Sequence, residues 1–359
     1  GIFLAATLLV HPAETPGIFL LDVGQGDGIF LTDGHGGHIW IDGGSSSEAA
    51  VGTYRMLPFL KYHRVNAVDV WIVTHPDADH IGGLDVVVYK FDCKKIFMPG
   101  VTSDTKTYDD VMQALKSKNQ KAQAPKPGET YTLGDASFTV IAPVKGYGDE
   151  TNNWSIGMVL QYGENRFLFT GDAEKEAEED MLAKGEDISA DVYKASHHGS
   201  KTGSCDDFLD KVHPSYAVIS CGEGNKYGHP SAQTLTNFRS RGIKTFRTDN
   251  QGTIVAYSDG KNITWNASPD TTWTPGEPKG SSSNWNSSSK NISKGKSGDS
   301  SKNTSKTQVS YVINEDTGKF HLPSCRFVKQ MNEENRITSS KSRNTLIKEG
   351  YEACKVCEP

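Results

Sequence analysis

Short apolar runs, separated by glycine and polar residues, recur over the first 265 residues and predict β-strands. The first four lie at residues 17–21, 29–32, 38–41 and 68–73. Six more lie at residues 138–141, 156–162, 167–170, 191–194, 216–220 and 253–257. These runs are rich in β-branched and aromatic residues, which favour strands. Because three strands precede the first helix, the pattern indicates a mixed or hairpin start and not a doubly wound parallel sheet.

Amphipathic stretches between these runs predict helices, and residues 173–184 are the best example. Glu174 and Glu176 place acidic groups in the first turn, Ala177 and Met181 share one face, and Gly185 ends the segment. Such a first turn and such a stop are typical of helix boundaries. Strands alternating with helices predict one large α/β domain over residues 17–265.

The composition changes abruptly after this domain. Residues 266–308 are mainly Ser, Asn, Lys, Gly and Thr without apolar periodicity, which predicts a disordered linker because so little apolar surface can be buried. Residues 309–359 regain aromatic and aliphatic side chains and predict a separate small domain.

The chain begins with an apolar run at residues 1–10, which is shorter than the roughly 20 residues that cross a bilayer. We therefore interpret residues 1–16 as the remnant of a signal peptide or anchor, and expect a secreted or cell-surface protein. A buried first strand is the alternative. No other stretch is apolar enough to predict a transmembrane channel. The net charge of −6 argues against a nucleic-acid-coating protein but allows a local basic groove, and we expect a monomer.

A dense cluster of possible metal ligands follows the fourth strand, in the sequence THPDADHIGG at residues 74–83. It contains His75, Asp77, Asp79 and His80. Side chains so close together converge only on an irregular loop, which the Pro and the Gly pair favour. Imidazole and carboxylate ligands together suit zinc or manganese. A polar turn capped by aspartates is the alternative.

Further acids and histidines follow other predicted strands. Asp172, His197, His198 and His229 all come after apolar runs. Each alone is more often a cap or a surface residue, but their repetition at strand ends favours a shared site, where a carboxylate such as Asp172 can bridge two cations. Two glycine-rich turns, which contain Asp27 and Asp42, are predicted to be tight hairpins.

The six cysteines are unevenly placed, and three of them lie near the C-terminus. His321 and Cys325 are followed by Cys354 and Cys357, a four-ligand set with the spacing of a zinc site. A domain of about 50 residues has too small a core to be stable alone, so we expect one structural zinc. A disulfide between two of the cysteines is the alternative.

Taken in order, the motifs DVGQGD, IDGG, THPDADHIGG, FTGDAE, SHHGSKTGS and NKYGHPS resemble the hydrolase domain of the ComEC family of competence proteins, a branch of the metallo-β-lactamase superfamily. The resemblance covers residues 17–257. It implies an αβ/βα sandwich of two mixed sheets with a metal site at one edge. It does not imply the competence channel.

The resemblance also implies individual ligands. The superfamily motif His-x-His-x-Asp-His falls on the cluster at residues 75–80, with Asp77 in place of the second His, and the bridging carboxylate falls on Asp172. A further histidine is expected between these motifs, but here Asn152 or Asn153 would have to replace it.

Two assignments of the late histidines stay open. By analogy with ribonuclease Z and the phosphorylcholine esterases, His197 or His198 would donate a proton to the leaving group and His229 would complete the second metal site. Alternatively, His198 is the last ligand and His229 contacts substrate. We favour the first assignment because it gives each strand end a separate role.

The implied reaction is hydrolysis by a hydroxide bound to two divalent ions, Zn or Mn, and oriented by Asp79. Other expected contributors bind substrate or support the ligands, and they are Asp27, Asp42, Asn153, Lys201, Asn225 and Tyr227. The expected substrate is a phosphodiester, above all DNA. The alternatives are a small-substrate hydrolase, such as a wall phosphorylcholine esterase or lactonase, and a metal-stabilised binding protein without activity.

The small domain resembles the N-terminal zinc domain of the Ada DNA-repair protein. In that domain the first ligand is the methyl-accepting cysteine, whereas this chain has His321, so methyl transfer is not implied. We expect a contact with DNA or with the cell wall through this domain.

Overall fold

The structure is a computed structural model that describes residues 16–276 and, further on, 311–314, 319–323, 325, 327–328, 336–339, 346, 351–354 and 357. The chain divides into two compact units, Gly1–Asn284 and Trp285–Pro359. Predictions for residues 1–15 and for the linker beyond residue 276 lie outside the described residues. In the described part of the chain, every helix is too short or too polar to cross a membrane.

The first unit contains an eight-stranded mixed sheet in the order β15-β14-β1-β2-β3-β4-β5-β6. Its strands are β1 (Gly17–Leu20), β2 (Gly28–Thr32), β3 (His38–Asp42), β4 (Ala67–Ile72), β5 (Asp92–Phe97), β6 (Ala122–Gln123), β14 (Ile254–Ser258) and β15 (Ile263–Trp265). Strands β1, β2 and β3 are antiparallel, as the early succession of strands predicts, and β3 to β6 run parallel.

A second mixed sheet has seven strands in the order β13-β12-β11-β10-β9-β8-β7. Its strands are β7 (Thr130–Leu133), β8 (Ala136–Ala142), β9 (Gly157–Tyr162), β10 (Asn165–Phe169), β11 (Val192–Lys194), β12 (Tyr216–Ile219) and β13 (Lys244–Arg247). Strands β10 to β13 are parallel, so their carboxyl ends meet at one edge, which carries the candidate site.

Helices cover the outer face of each sheet. They are α1 (π-helical, Gly52–Met56), α2 (Leu57–Tyr62), α3 (Ala78–Ile81), α4 (Leu84–Lys90), α5 (Lys106–Ser117), α6 (Lys175–Lys184), α7 (Asp206–Val212), α8 (Ala232–Ser240) and α9 (Thr248–Gln251). Single 3₁₀ turns occur at Thr151–Trp154 and Ser196–Gly199.

Strand β3 shows how the layers are built. Ile39 and Ile41 point between the two sheets and belong to the core formed by both, whereas Trp40 points to the other face and packs in the core under the helices. This alternation has the period of two that a strand imposes. A third core lies between the second sheet and its helices, where Met181 and Phe238 are buried. The αβ/βα sandwich of two mixed sheets is therefore confirmed.

Most predicted elements lie where the apolar runs are, with shifts of one or two residues. The helix predicted from residue 173 begins at Lys175, because Glu174 is extended and acts as its N-cap. The sequence analysis missed β5, β6, β7, β13 and β15. In β5, Lys94 and Lys95 interrupt the apolar pattern, and in β7 all residues are at least partly exposed. A strand that is not buried on one full face has no clear apolar signal.

The large unit extends past residue 265, where the linker was predicted to begin. The backbone N–H of Asn266 donates to Val255, that of Asp270 to Thr245, and that of Gly276 to Pro230. Residues 266–276 are therefore fixed to the sandwich by backbone hydrogen bonds, which a polar composition does not reveal.

The second unit has a four-stranded sheet in the order β18-β16-β17-β19. Its strands are β16 (Tyr311–Asn314), β17 (Lys319–His321), β18 (Arg336–Ser339) and β19 (Glu352–Ala353). Tyr311, Ile313, Phe320 and Leu346 form its small core.

Candidate metal centre

The loop after β4 brings the first predicted ligands together. His75 is the third residue after the end of β4, α3 begins three residues later, and Asp79 and His80 lie in its first turn. The turn from strand to helix places the rings of His75 and His80 4.1 Å apart between centroids. Gly26, with a φ of 148°, packs against the backbone of Asp79, and a Cβ there would overlap the Asp79 carbonyl oxygen. The DVGQGD turn thus lies against the ligand loop.

Three buried histidines are each held by a hydrogen bond at Nδ1. His80 Nδ1 lies 2.9 Å from Oδ2 of Asp42, and His198 Nδ1 lies 2.9 Å from the carbonyl oxygen of Ser220. Nδ1 of His75 lies 3.1 Å from the Thr74 hydroxyl. Metal-binding histidines are commonly oriented through their other ring nitrogen in this way, which leaves Nε2 for the ion.

The three Nε2 atoms are buried, and none makes a well-directed hydrogen bond to any residue that the structure describes. His80 Nε2 and His198 Nε2 each lie 3.2 Å from Oδ2 of Asp172. His198 Nε2 also lies 3.7 Å from Oδ2 of Asp79. Asp172 therefore occupies the centre of the cluster, as a bridging carboxylate would.

The donor atoms form overlapping groups in which all members lie within 4.8 Å of one another. The groups are His75 with His80 and Asp172; Asp79 with His80 and His198; Asp27 with Asp172 and His198; and Asp27 with Asp42 and His80. Nitrogen and carboxylate oxygen donors at this spacing fit zinc or manganese.

Charge also favours a cation here. Asp27, Asp42 and Asp172 are buried, and the buried ammonium of Lys194 offsets only part of their charge. Burial alone would lower the pKa of His80, but Asp172 and Asp42 hold that pKa well above its usual range. Because buried carboxylates without enough positive charge are costly, these residues fit bound divalent ions.

Lys194 is the residue that sequence analysis missed. Its Nζ lies 2.5 Å from Oδ2 of Asp27, 3.8 Å from Oδ1 of Asp172 and 3.2 Å from the carbonyl oxygen of Gly171. Burial alone would raise the pKa of Asp27, but Lys194, with His198 and His80, lowers it. The available signal in the sequence was a lysine at the end of the predicted strand at residues 191–194, since lysine is almost never fully buried unless paired.

Residues 21–223 match the family model described as the metallo-beta-lactamase superfamily. This chain belongs to that superfamily. By family, its large unit is a metal-dependent hydrolase domain.

Two relatives carry competence-related names, which agrees with the motif resemblance. ComE operon protein 3 of Bacillus subtilis (strain 168) is 32% identical over 249 residues, which cover 66% of this chain and 32% of that protein. Competence protein ComA of Neisseria gonorrhoeae is 27% identical over 259 residues, 70% of this chain and 34% of that protein. The chain thus spans about a third of the length of these relatives. The metallo-beta-lactamase fold protein YhfI from Bacillus subtilis has a TM-score of 0.44 at 14% identity, over 65% of this chain and 95% of that one.

Within this superfamily domain, the late histidines occupy different places. His198 lies among the carboxylates, whereas His229 lies beside His197, 5.5 Å away between ring centroids, and stacks on Tyr227. Burial lowers the pKa of His229 to about 3. Asn225 fixes this loop, because its side chain accepts from the backbone N–H of His229 and donates to the His229 carbonyl oxygen. The geometry favours the alternative assignment, in which His198 is the ligand.

His197 lies at the rim of the centre. Its Nδ1 is 3.2 Å from Glu174 and 3.1 Å from Thr202, and its Nε2 is 3.8 Å from Oδ2 of Asp172. Burial alone would lower its pKa, but Asp172 and Glu174 raise it. Its ring therefore has a supporting carboxylate on one side and the metal centre on the other.

Asp77 and the two asparagines contribute differently from the other predicted residues. Asp77 has a side chain 40% exposed, and its Oδ2 lies 3.8 Å from Nε2 of His75. The side-chain oxygen Oδ1 of Asn153 accepts a hydrogen bond from the backbone N–H of Glu174, and the side-chain amide of Asn152 donates one to the Glu174 carboxylate. Both amides are thus engaged with Glu174, and their role as a replacement ligand stays a prediction.

A cleft of about 780 Å³ opens beside His197, on the helices of the second sheet. Lys201 and Thr202 line it. Its charged lining residues are Glu150, Glu174, Glu176, Glu179, Asp206 and Asp207, against Lys175 and Lys201. The cleft is therefore acidic, and it repels a polyanion such as a DNA backbone.

In the second unit, the four predicted zinc ligands lie together. The donor atoms of His321, Cys325, Cys354 and Cys357 are all within 4.8 Å of one another. The cysteines are not joined by disulfides, and the backbone N–H of Leu322 donates to Sγ of Cys357 over 3.3 Å. One His and three Cys donors fit a closed, tetrahedral structural zinc site.

Proposed function

We propose that the large unit is a metal-dependent phosphodiester hydrolase that acts on DNA. The observation that carries this proposal is the grouping of the buried histidines around Asp172, with Nε2 of His80 and of His198 each 3.2 Å from its Oδ2 and with His75 in the same donor group. The names of the relatives, which refer to competence, support DNA as the substrate class. The predicted location outside the cell or at its surface, and a DNA or cell-wall contact of the small unit, are parts of the same proposal.

The residues that would hold two divalent ions are His75, Asp77, Asp79, His80, Asp172 and His198. Bound divalent ions supply positive charge for the developing oxyanion and lower the pKa of water. The position of Asp172 between His80 and His198 suits a carboxylate shared by both ions. Lys194 keeps Asp27 charged and close to the histidines, which holds the ligand loop in place.

His197 is the side chain best placed to hold a proton for the leaving group. Glu174 and Thr202 orient its Nδ1, so that Nε2 faces the centre from the solvent-accessible side. Tyr227 and Lys201 are exposed nearby and offer donors to substrate oxygens. A general acid in this position contributes about 10² to 10⁴ in rate.

A second candidate is favoured by the acidic cleft beside His197. A small phosphodiester or ester whose other half is cationic, such as a phosphorylcholine ester, would place its positive charge in that cleft. DNA must then approach the centre from another side.

The test measures turnover of the metal-loaded full chain with added Mn²⁺ or Zn²⁺. Substrates are single-stranded DNA, double-stranded DNA, a cyclic dinucleotide, bis(p-nitrophenyl) phosphate and p-nitrophenyl phosphorylcholine. We expect DNA hydrolysis that falls about 100-fold or more in Asp172→Asn, because Asp172 would itself be a ligand and loss of a group that only supports a ligand already costs about 10- to 100-fold, and that persists in the cleft variant Glu179→Gln. Turnover of the choline ester without DNA hydrolysis would favour the second candidate, and turnover of none of the substrates would refute both.

We also propose that the second unit binds one structural zinc through His321, Cys325, Cys354 and Cys357. The proposal is supported by the donor set and by the small core of this unit, which a metal would stabilise.

A further inference from the structure

An exposed surface on α1, α2 and the turn that follows α2 combines aromatic rings with positive charge. Tyr54 is 72% exposed and Tyr62 is 82% exposed, which is unusual for large aromatic side chains. Arg55, Lys61 and Arg64 are exposed among them. We call these five residues the basic tyrosine surface.

The charge of this segment differs from that of the whole chain. Residues 49–68 contain no aspartate or glutamate, although the chain carries a net charge of −6. Arg55 has a loose ion pair with Glu48, at 3.9 Å. Neither Lys61 nor Arg64 is paired with a carboxylate of the residues that the structure describes. Unneutralised cations next to apolar rings favour an anionic, aromatic partner.

Packing beneath the helix fixes which side chains face outward. Phe59 points into the sheet, where its ring lies 5.3 Å from that of Phe30 and 5.9 Å from that of Trp40. Leu57 and Leu60 are also buried. Because α1 and α2 are continuous, Tyr54 and Tyr62 are about 12 Å apart along the helix axis and both lie outside this buried stripe.

The same helix begins beside the segment that follows the ligand loop. Gly52, the first residue of α1, packs so closely on Gly83 that a Cβ on Gly52 would overlap the Gly83 carbonyl oxygen. Gly83 is three residues after His80. The basic tyrosine surface therefore belongs to a helix whose first residue touches the segment that directly follows the ligand loop.

We infer that the basic tyrosine surface binds single-stranded DNA by base stacking on Tyr54 and Tyr62, with phosphates contacting Arg55, Lys61 and Arg64. This inference rests on the proposed DNA hydrolase function and adds a surface that binds the substrate. Stacking needs unpaired bases, because the faces of paired bases are covered in a duplex. Single strands should thus bind more tightly than duplexes.

The test uses the metal-loaded full chain and a fluorescent oligothymidylate with phosphorothioate linkages, to slow cleavage during the measurement. Tyr54→Ala/Tyr62→Ala should weaken binding at least about fivefold for each ring lost, whereas Tyr54→Phe/Tyr62→Phe, which keeps both rings, should bind like the wild type. Equal affinity of the alanine and wild-type proteins would overturn the inference.

A second experiment measures how the affinity for DNA depends on salt in variants that lack basic residues. Lys61→Ala/Arg64→Ala should reduce the slope of log affinity against log salt by about 1.4, the value for two phosphate contacts to a single strand. Lys184→Ala/Lys211→Ala removes the same charge from helices of the second sheet and should leave the slope unchanged. Equal slope changes in both pairs would mean that only overall charge matters, which contradicts the inference.

Hydrolysis of bis(p-nitrophenyl) phosphate separates this inference from the proposed function. This substrate is too small to reach the surface, so all of these variants should hydrolyse it at the wild-type rate. Wild-type turnover together with unaltered DNA binding in Tyr54→Ala/Tyr62→Ala would refute the surface and leave the hydrolase intact. If the tyrosine variant changed only self-association of the chain, the surface would be a protein contact and the inference would be wrong.

Discussion

Nζ of Lys194 lies 2.5 Å from Oδ2 of Asp27, and both side chains are about 1% exposed. Lys194 ends β11 of the second sheet, whereas Asp27 directly precedes β2 of the first. The ion pair therefore joins the two sheets at the edge that carries the metal centre. A hydrogen bond from the Asp27 N–H to the Asp79 carbonyl oxygen extends this connection to the ligand loop.

Removal of one partner of this pair should destabilise the fold. In Lys194→Met, Asp27 stays buried without its cation, so the free energy of unfolding should fall by about 3–5 kcal/mol. Lys194→Met/Asp27→Leu should recover part of this loss, because both buried charges are gone. Urea unfolding at neutral pH measures the difference, with exposed Lys211→Met as the control. A single variant as stable as the wild type would show that the pair is not needed for stability.

The positions of the late histidines predict opposite effects of their substitution. His198→Ala should lower the metal content of the large unit, because His198 Nε2 lies among Asp172 and Asp79, whereas His229→Ala should keep the metal. Elemental analysis of each purified variant decides between them. Metal loss in His229→Ala with metal retained in His198→Ala would restore the assignment that sequence analysis favoured.

Substitution of His197 should affect rate and not metal content. His197→Ala should lower kcat on an oligonucleotide by about 10² to 10⁴, because the leaving group loses its proton donor. The loss on bis(p-nitrophenyl) phosphate should be much smaller, since nitrophenolate leaves without a proton. Equal losses on both substrates, measured side by side, would argue against this role.

Glu178 predicts a pH dependence of stability. It is buried and accepts hydrogen bonds from the backbone N–H groups of Ser204 and Cys205 at the start of α7, and burial raises its pKa from 4.5 to about 7. An acid with a raised pKa favours the folded state at low pH, and this stability is lost as the pH rises through 7.

Between pH 4.5 and pH 8, the free energy of unfolding of the wild type should therefore fall by up to about 3 kcal/mol relative to that of Glu178→Gln. Denaturant unfolding of both proteins across this range isolates the contribution. Glu179→Gln changes an exposed residue of the same helix, and its free energy of unfolding should depend on pH in the same way as that of the wild type. If the free energies of unfolding of the wild type and Glu178→Gln differed by the same amount at every pH, this would contradict the raised pKa of Glu178.

The small unit should lose its metal when one ligand is removed. Cys354→Ser should reduce bound zinc by about one ion per chain, because a closed site needs all four donors. Cys205→Ser, a cysteine of the large unit outside any ligand group, should leave the zinc content unchanged. Elemental analysis beside a thiol titration gives the answer, and an unchanged zinc content in Cys354→Ser would refute the site.

Much of the centre follows from local sequence. The cluster of His75, Asp77, Asp79 and His80 lies within six residues, so any strand-to-helix turn there brings its members close together. The alternation of Ile39, Trp40 and Ile41 likewise determines which face of β3 enters which core, since side chains on a strand point to opposite sides. Ligand types and layer architecture could therefore be predicted.

Only the tertiary structure decides which distant side chains complete the site. His198 and His229 both follow apolar strands, and their sequence positions do not distinguish them. The parallel pairing of β11 and β12 places the Ser220 carbonyl oxygen where it orients the His198 ring toward Asp172. Lys194 and Asp27 are 167 positions apart and meet only because the two sheets pack face to face. Contacts between sheets depend on packing across the whole domain, which no local pattern of residues encodes.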